Sequence, residues 1–176
     1  MFSTIYEIVR HSVENFSSRI AFSMLGGEDV SYKEVGERIE QVQEMLLDAG
    51  VGAGDKVAIL SSSMPNWGVS YFAVTTAGMI AVPILPDFTS SELDLIIEHS
   101  EAKAILVSDK LYAKLSKEVT QKLNIVIRTK DKYVMEPSML FLGLTTGASL
   151  CLPKKEPKKY AKISVAHEAI NTSAIK

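Results

Sequence analysis

The sequence predicts an α/β fold, a mainly parallel sheet flanked by helices, and three observations carry that expectation. Short apolar runs of strand length alternate with stretches of helical periodicity, the pattern of right-handed βαβ units. The run Val57-Ala-Ile-Leu60 is continuously apolar rather than alternating, as in a strand covered on both faces. Residues 57–86 carry no charged side chain at all.

The elements follow in order. Thr4 and Glu7 have capping-box spacing, and Ile5, Ile8, Val9, Val13 and Phe16 recur at helical intervals, predicting a helix over 4–16. Residues 20–25 read as a strand, and Gly26-Gly27-Glu28-Asp29 as a turn into a short partner strand. Ser31 and Glu34 open a long helix with the stripe Val35, Ile39, Val42, Met45, Leu46 and Ala49. Glu37, Arg38, Glu40, Gln41, Gln43 and Glu44 are placed on its other faces, and Gly50 stops it. A helix over about 66–77 ending at Gly78 separates the strand 57–60 from a second buried run, 79–85. Thr89 and Glu92 head a helix with Leu93, Leu95, Ile96 and Ile97. Residues 104–107 form a strand, Ser108 or Asp109 caps one helix to about Leu123, and 125–127 is the last clear strand.

The alternation fails after Thr129, dividing the chain into an α/β unit, 1–129, and a partial or discontinuous segment, 130–176, with a basic linker at 153–162. Charge divides it similarly. Residues 1–127 carry 10 basic and 17 acidic side chains, a net of −7, whereas 128–162 carry 8 basic and 3 acidic, a net of +5.

Several function classes are disfavoured. Cys151 is the sole cysteine, so neither an internal disulfide nor a cysteine-built zinc site can form. His11, His99 and His167 lack a second histidine or cysteine at i+3 or i+4, which reads as solvated or partly buried imidazoles rather than a metal site. Ser61, Pro65, Asn66, Gly68, Gly78 and Pro83 interrupt the uncharged block, so no single helix spans a membrane there. Nothing in the first residues has the form of a secretory signal. A cytoplasmic protein is expected. The basic run 154–162 has only Tyr160 as an interleaved aromatic, and nucleic acid is not expected as a partner.

Three stretches are weighed as chemistry. Gly50-Val-Gly52-Ala-Gly54 follows a helix and precedes a strand, the reverse of a dinucleotide-binding loop, and reads as a turn. Ser61-Ser-Ser63-Met-Pro-Asn66 follows a strand and opens a helix, where ligands bind outside the carboxyl ends of parallel strands; these hydroxyls either hold an anion or cap the helix. Leu144-Thr-Thr-Gly147 with Lys154 or Lys155 reads either as a worn phosphate loop or as a strand ending in a turn.

Five ordered stretches within 1–127 resemble the N-terminal part of the adenylate-forming (AMP-binding) acyl-CoA synthetase family, most closely its long-chain fatty acid–CoA ligases. Val30-Ser-Tyr-Lys-Glu34 is similar to "T-Y-x-E-L", and Gly50-Val-Gly-Ala-Gly-Asp-Lys-Val-Ala-Ile-Leu60 to "G-V-x-x-G-D-x-V-A-I-L". Met64-Pro-Asn-Trp-Gly-Val-Ser-Tyr-Phe-Ala73 resembles "N-x-P-E-W-x-x-x-x-F-A". Ala77-Gly-Met-Ile-Ala-Val-Pro-Ile-Leu-Pro86 is similar to "A-G-A-V-x-V-P-x-x-P", and Glu98-His-Ser-Glu-Ala-Lys-Ala-Ile105 to "L-x-x-S-x-A-K-A-x".

The resemblance implies the N-terminal subdomain of the acyl-adenylate-forming fold. It implies a ligase joining a carboxylic acid, typically a fatty acid, to coenzyme A through an acyl-adenylate, with ATP, Mg2+ and CoA as cofactors. The family's phosphate loop, "T-S-G-T-T-G-x-P-K-G", is not intact. Thr145, Thr146, Gly147 and Lys154 form its degraded copy on one alignment, while Gly147–Lys154 matches a later "G-A-x-x-x-x-x-P-K" strand on another. The "Y-G-x-T-E" motif is absent from the 176 residues. An N-terminal fragment without activity of its own is therefore expected, self-associating through an exposed apolar face. A non-catalytic α/β binding module is the alternative, and an unrelated flavodoxin-like module, recognisable by a five-stranded parallel sheet without an unpaired edge, a weaker one.

Overall fold

The structure, a computed structural model, describes residues 3–23 and 29–129, together with the backbone of 142–143. Helix α1 (Ile5–Asn15) begins at Thr4, whose hydroxyl accepts from the Glu7 N–H while the Glu7 carboxylate accepts from the Thr4 N–H. The same reciprocal box, Ser31 with Glu34, opens α2 (Tyr32–Asp48). A third, Thr89 with Glu92, opens α4 (Ser90–Ser100). All three were predicted from spacing alone, because a capping box is a local arrangement that needs no tertiary partner.

A small antiparallel ribbon pairs β1 (Ile20–Phe22) with β2 (Val30–Ser31). The main sheet has the order β4-β3-β5-β6-β7. Its strands are β3 (Lys56–Leu60), β4 (Ile80–Ile84), β5 (Ala104–Ser108), β6 (Ile125–Thr129) and β7 (Leu142–Gly143). The first four are mutually parallel, and β7 runs antiparallel to β6. An antiparallel fifth strand and a β4 edge that no other described strand pairs are not the arrangement by which a flavodoxin-like module was to be recognised.

Two apolar layers sandwich the sheet. Alternate residues Val57, Ile59, Ala104, Leu106, Ile125 and Ile127 meet α2 and α3 (Pro65–Thr76). Their neighbours Ala58, Leu60, Ile105, Val107 and Val126 meet α4 and α6 (Lys117–Lys122). The continuous hydrophobicity of these strands is thus two alternating faces, both buried. Helix α3 carries no charge and is buried along its length, as expected of a helix without a polar face. Helix α1 packs on the outside of α2 and α3. Residues Val9, Phe22 and Tyr71 support this layer, and Phe22 lies so close to Gly68 that a Cβ there would stand 2.7 Å from the ring.

Four expectations are corrected. Gln43 is buried rather than on an outer face: its Nε2 donates to the Ala73 carbonyl (3.0 Å) and to Thr76 Oγ1 (2.8 Å). It sits four residues after Ile39, on the stripe itself, and α3 supplies the acceptors that a buried amide requires. The run 79–85 is not wholly buried. β4 is an edge strand, Ile80 is 49% and Leu85 64% exposed, and Pro83, which cannot donate to a ladder, faces outward. The helix expected from 109 to 123 is two, α5 (Asp109–Tyr112) and α6, because Ser116 accepts from the Val119 N–H and starts a second helix. Of the apolar residues expected in α4, Leu93 and Ile97 are buried and Leu95 is exposed.

Candidate functional site

β3 leads through α3 to β4 on one side, whereas β5 leads through α5 and α6 to β6 on the other. The connections diverge between β3 and β5, the topological switch point at which open α/β sheets bind ligands beyond their carboxyl ends. Three hydroxyl residues mark that end. Ser108 is level with Thr129, and Ser61 follows Leu60, which is level with Val107. All three are buried, at 8% exposure for Ser61, 2% for Ser108 and 3% for Thr129. Thr129 Oγ1 reaches the Val107 carbonyl only at 3.5 Å, and Ser61 Oγ donates to the Ser62 carbonyl.

Ser62 and Ser63 stand exposed beside this row. None of the three serines caps α3. Its N-cap is Met64, which makes no side-chain cap bond, and Pro65 occupies the first turn. The two readings of Ser61–Ser63 are thereby separated: capping is excluded, and the uncapped helix start keeps its partial positive charge toward the crevice.

The far rim is charged and braced. Arg128 donates to Asp109 Oδ1 through Nε (2.9 Å) and Nη2 (2.8 Å), and its guanidinium lies 4.4 Å from the Tyr112 ring centroid. The Lys114 ammonium donates to the carbonyls of Pro86 (2.7 Å) and Phe88 (3.1 Å), tying the loop after β4 to the α5–α6 turn. The arrangement offers hydroxyl oxygens and a helix start to a polar group, while the Arg128 guanidinium is engaged by Asp109 and Tyr112. Among the described residues no three His, Cys, Asp or Glu side chains converge on a cation position. Of the histidines, His11 meets the edge of Phe16 (5.9 Å) and Asn15, while His99 sits in the last turn of α4.

Thr145, Thr146, Gly147 and Lys154 lie outside the described residues, as does His167. Gly50–Gly54 is the helix-to-strand turn that its order predicted, with Gly54 at φ 83° donating to the Gly78 carbonyl (2.8 Å). From sequence Ser108 is read only as a helix cap, which it is for α5 without a side-chain cap bond, and Thr129 is assigned no role. The available signal was that two neighbouring strands end in a hydroxyl residue and a third is followed at once by one, but only the strand order shows them level.

No helix among the described residues is long and apolar enough to cross a membrane. Over 115 residues the chain is 30% identical to the long chain acyl-CoA synthetase 1 of Arabidopsis thaliana, covering 61% of this chain and 17% of that one. Over 128 residues it is 32% identical to a naringenin synthase of Pestalotiopsis fici, covering 72% of this chain and 5% of the relative. It thus spans under a fifth of either relative's length. Among solved structures, the anthranilate CoA ligase AuaEII in complex with anthranoyl-AMP superposes with a TM-score of 0.65 at 19% identity, covering 73% of this chain and 25% of that one. The shared fold is that of the N-terminal domain of acyl-adenylate-forming enzymes. A family model for the AMP-binding enzymes matches residues 9–140, three-quarters of the sequence, and the chain belongs to that family.

Proposed function

We propose that the chain supplies the N-terminal scaffold of an AMP-forming ligase that joins a long-chain fatty acid to coenzyme A in the cytoplasm. A carboxylate oxygen attacks the α-phosphorus of ATP, forming the acyl-adenylate and releasing pyrophosphate. The CoA thiol then attacks the acyl carbon, and AMP leaves. ATP with Mg2+ would supply the activated phosphoryl group.

The observation that carries this reading is the family match over 9–140. The switch-point crevice, an uncapped helix start beside Ser61, Ser108 and Thr129, agrees with it. The likeness to the Arabidopsis synthetase supports a long-chain acid. Among the described residues no three His, Cys, Asp or Glu side chains converge on a cation position, and the phosphate-contact candidates Thr145, Thr146, Gly147 and Lys154 fall outside them. The 176 residues hold neither an intact phosphate loop nor the "Y-G-x-T-E" motif, and on that ground they give no turnover of their own.

ATP–pyrophosphate exchange tests both parts. With palmitate, octanoate or benzoate, the 176-residue chain gives exchange at the no-acid background; turnover above it overturns the inactivity. In the complete polypeptide that carries this chain, palmitate-dependent exchange exceeds that with benzoate at least tenfold. A preference for the aryl acid overturns the long-chain assignment and leaves the ligase.

A further inference from the structure

A cleft of about 80 Å3 lies between α1 and α2 and reaches Thr76 of α3. A cavity of ~150 Å3 takes up benzene, so this one has room for a ligand of roughly four heavy atoms. Its α2 wall is built from positions i, i+4 and i+7. Gly36, Glu40 and Gln43 thus share one flank of the helix. Gly36 lets α1 come close, since a Cβ there would stand 2.9 Å from Val13 Cγ1. Val9, Val13 and Ile39 add apolar walls.

Two acceptors on this flank receive no hydrogen from any described residue. Gln43 is 5% exposed, and its Nε2 donates to the Ala73 carbonyl and to Thr76 Oγ1. A carbonyl can only accept, so the amide nitrogen is fixed on that side and Oε1 on the other. Oε1 accepts no hydrogen bond, yet it is not one of the fully enclosed oxygens left without a partner, so it opens onto the cleft that Gln43 lines. Glu40 is half-buried and has no hydrogen bond or ion pair among the described residues. Burial first, then Glu44 and Glu37, push its carboxyl above the usual value. Arg10, the cation on the α1 wall, is engaged by Tyr6 and, at 3.3 Å, by Glu14.

These acceptors define the ligand. A partly buried carboxylate without a countercharge favours a cation. Two side chains over apolar walls do not make a hard-metal site, which takes about six oxygens. We propose that the cleft binds a short-chain primary ammonium ion, which donates to Gln43 Oε1 and the Glu40 carboxylate and lays its alkyl chain against Val9, Val13 and Ile39. An ammonium carries three donors, and side chains three residues apart on a helix are neighbours it can bridge. The inference does not depend on the acid or on ligase activity.

The probe is n-propylammonium chloride, titrated near neutral pH into the nitrogen-15-labelled 176-residue chain, with sodium chloride at equal ionic strength as the control. The expected result is saturable shifts confined to α1 and α2 around the cleft and to the Gln43 side-chain NH2, with a Kd in the millimolar range for so small a ligand. n-Propanol, which keeps the chain and one donor without the charge, binds at least tenfold more weakly. Glu40→Gln removes the charge at nearly constant shape and weakens the ammonium at least fivefold, while its ligand-free spectrum matches the wild type away from the cleft. Shifts no larger than those from sodium chloride leave the cleft to water and overturn the proposal. Propanol binding as tightly as the ammonium, an unmoved Gln43 side-chain NH2, or undiminished binding in Glu40→Gln overturns it equally, and the first two need no variant.

Discussion

At the amino end of the parallel strands the backbone is tied by many small constraints, whereas at the carboxyl end hydroxyls and an uncapped helix sit over the same sheet and the ties, Arg128 to Asp109 and Lys114 to the Pro86 and Phe88 carbonyls, lie along one rim. The amino-end ties converge on Asp55. Its Oδ2 accepts from the Gly52 N–H (2.9 Å), its Oδ1 meets Lys103 Nζ (2.6 Å), and its carbonyl accepts from the Ile80 N–H (2.8 Å). Asn124 and Lys103 continue the lacing: the Asn124 N–H donates to the Lys103 carbonyl, and the Lys103 N–H to that of Lys56. At the carboxyl end Ser61, Ser108 and Thr129 are buried, yet the Thr129 bond is at the limit of hydrogen-bond distance. One end fixes register; the other is a surface on which chemistry can be placed.

Gly54 gives this contrast its largest expected effect. At φ 83° it occupies a backbone region closed to β-branched residues, and its N–H closes the turn onto Gly78. Gly54→Val costs about 2–3 kcal/mol in urea-unfolding free energy. A change below about 0.5 kcal/mol would mean that the turn is not the constraint the geometry suggests.

Asp55→Asn comes next, at about 1 kcal/mol near neutral pH, since the lost ion pair is partly solvent-screened and the bond to the Gly52 N–H is weakened. The hydrogen bond from Gly52 first, and Lys103 second, hold the Asp55 carboxyl below its usual value. A depressed folded-state pKa contributes stability that is present above the unfolded value, near 3.9, and is lost as the pH falls through the folded one. The difference between wild type and variant therefore shrinks below about pH 4. A difference independent of pH from 7 to 2 would remove Asp55's charge from the account.

These ties explain what was legible in the sequence. The Gly50–Leu60 and Ala77–Pro86 stretches that carried the family resemblance supply the amino-end turns, so the fold could be read where glycine, aspartate and capping boxes act locally. Gln43 was misplaced because a buried amide looks like a surface residue until α3 provides its acceptors. β4 was misjudged because its apolar run outweighed Pro83, the one residue in it that marks an edge. The carboxyl-end row is harder still. Ser61, Ser108 and Thr129 are 47 and 21 residues apart in sequence, and no local pattern states that their strands are neighbours.

Glu101 refines the picture of the amino end with a smaller effect. It ends α4 at φ 56°, the only non-glycine residue with positive φ among those described, and its carboxylate meets Lys56 Nζ at 3.0 Å. Glycine relieves the left-handed strain while an exposed pair is lost. Glu101→Gly therefore gives a small rise in melting temperature, less in magnitude than the fall in Asp55→Asn. A fall as large as that of Asp55→Asn would make the Lys56 pair a principal tie.

The smallest expected change belongs to the carboxyl end and is the sharpest test of the contrast. Thr129 is 3% exposed, and its hydroxyl donates over 3.5 Å, a distance at which little net stabilisation remains. Valine keeps the branched shape and the strand preference. Thr129→Val should alter unfolding free energy by no more than about 0.5 kcal/mol in either direction. If the hydroxyl row serves a ligand rather than the fold, the same substitution in the complete polypeptide lowers kcat/KM for adenylation while leaving stability unchanged. A loss near 2 kcal/mol with unaltered kinetics would place Thr129 with Asp55, among the residues that fix the sheet, and leave the crevice without its row.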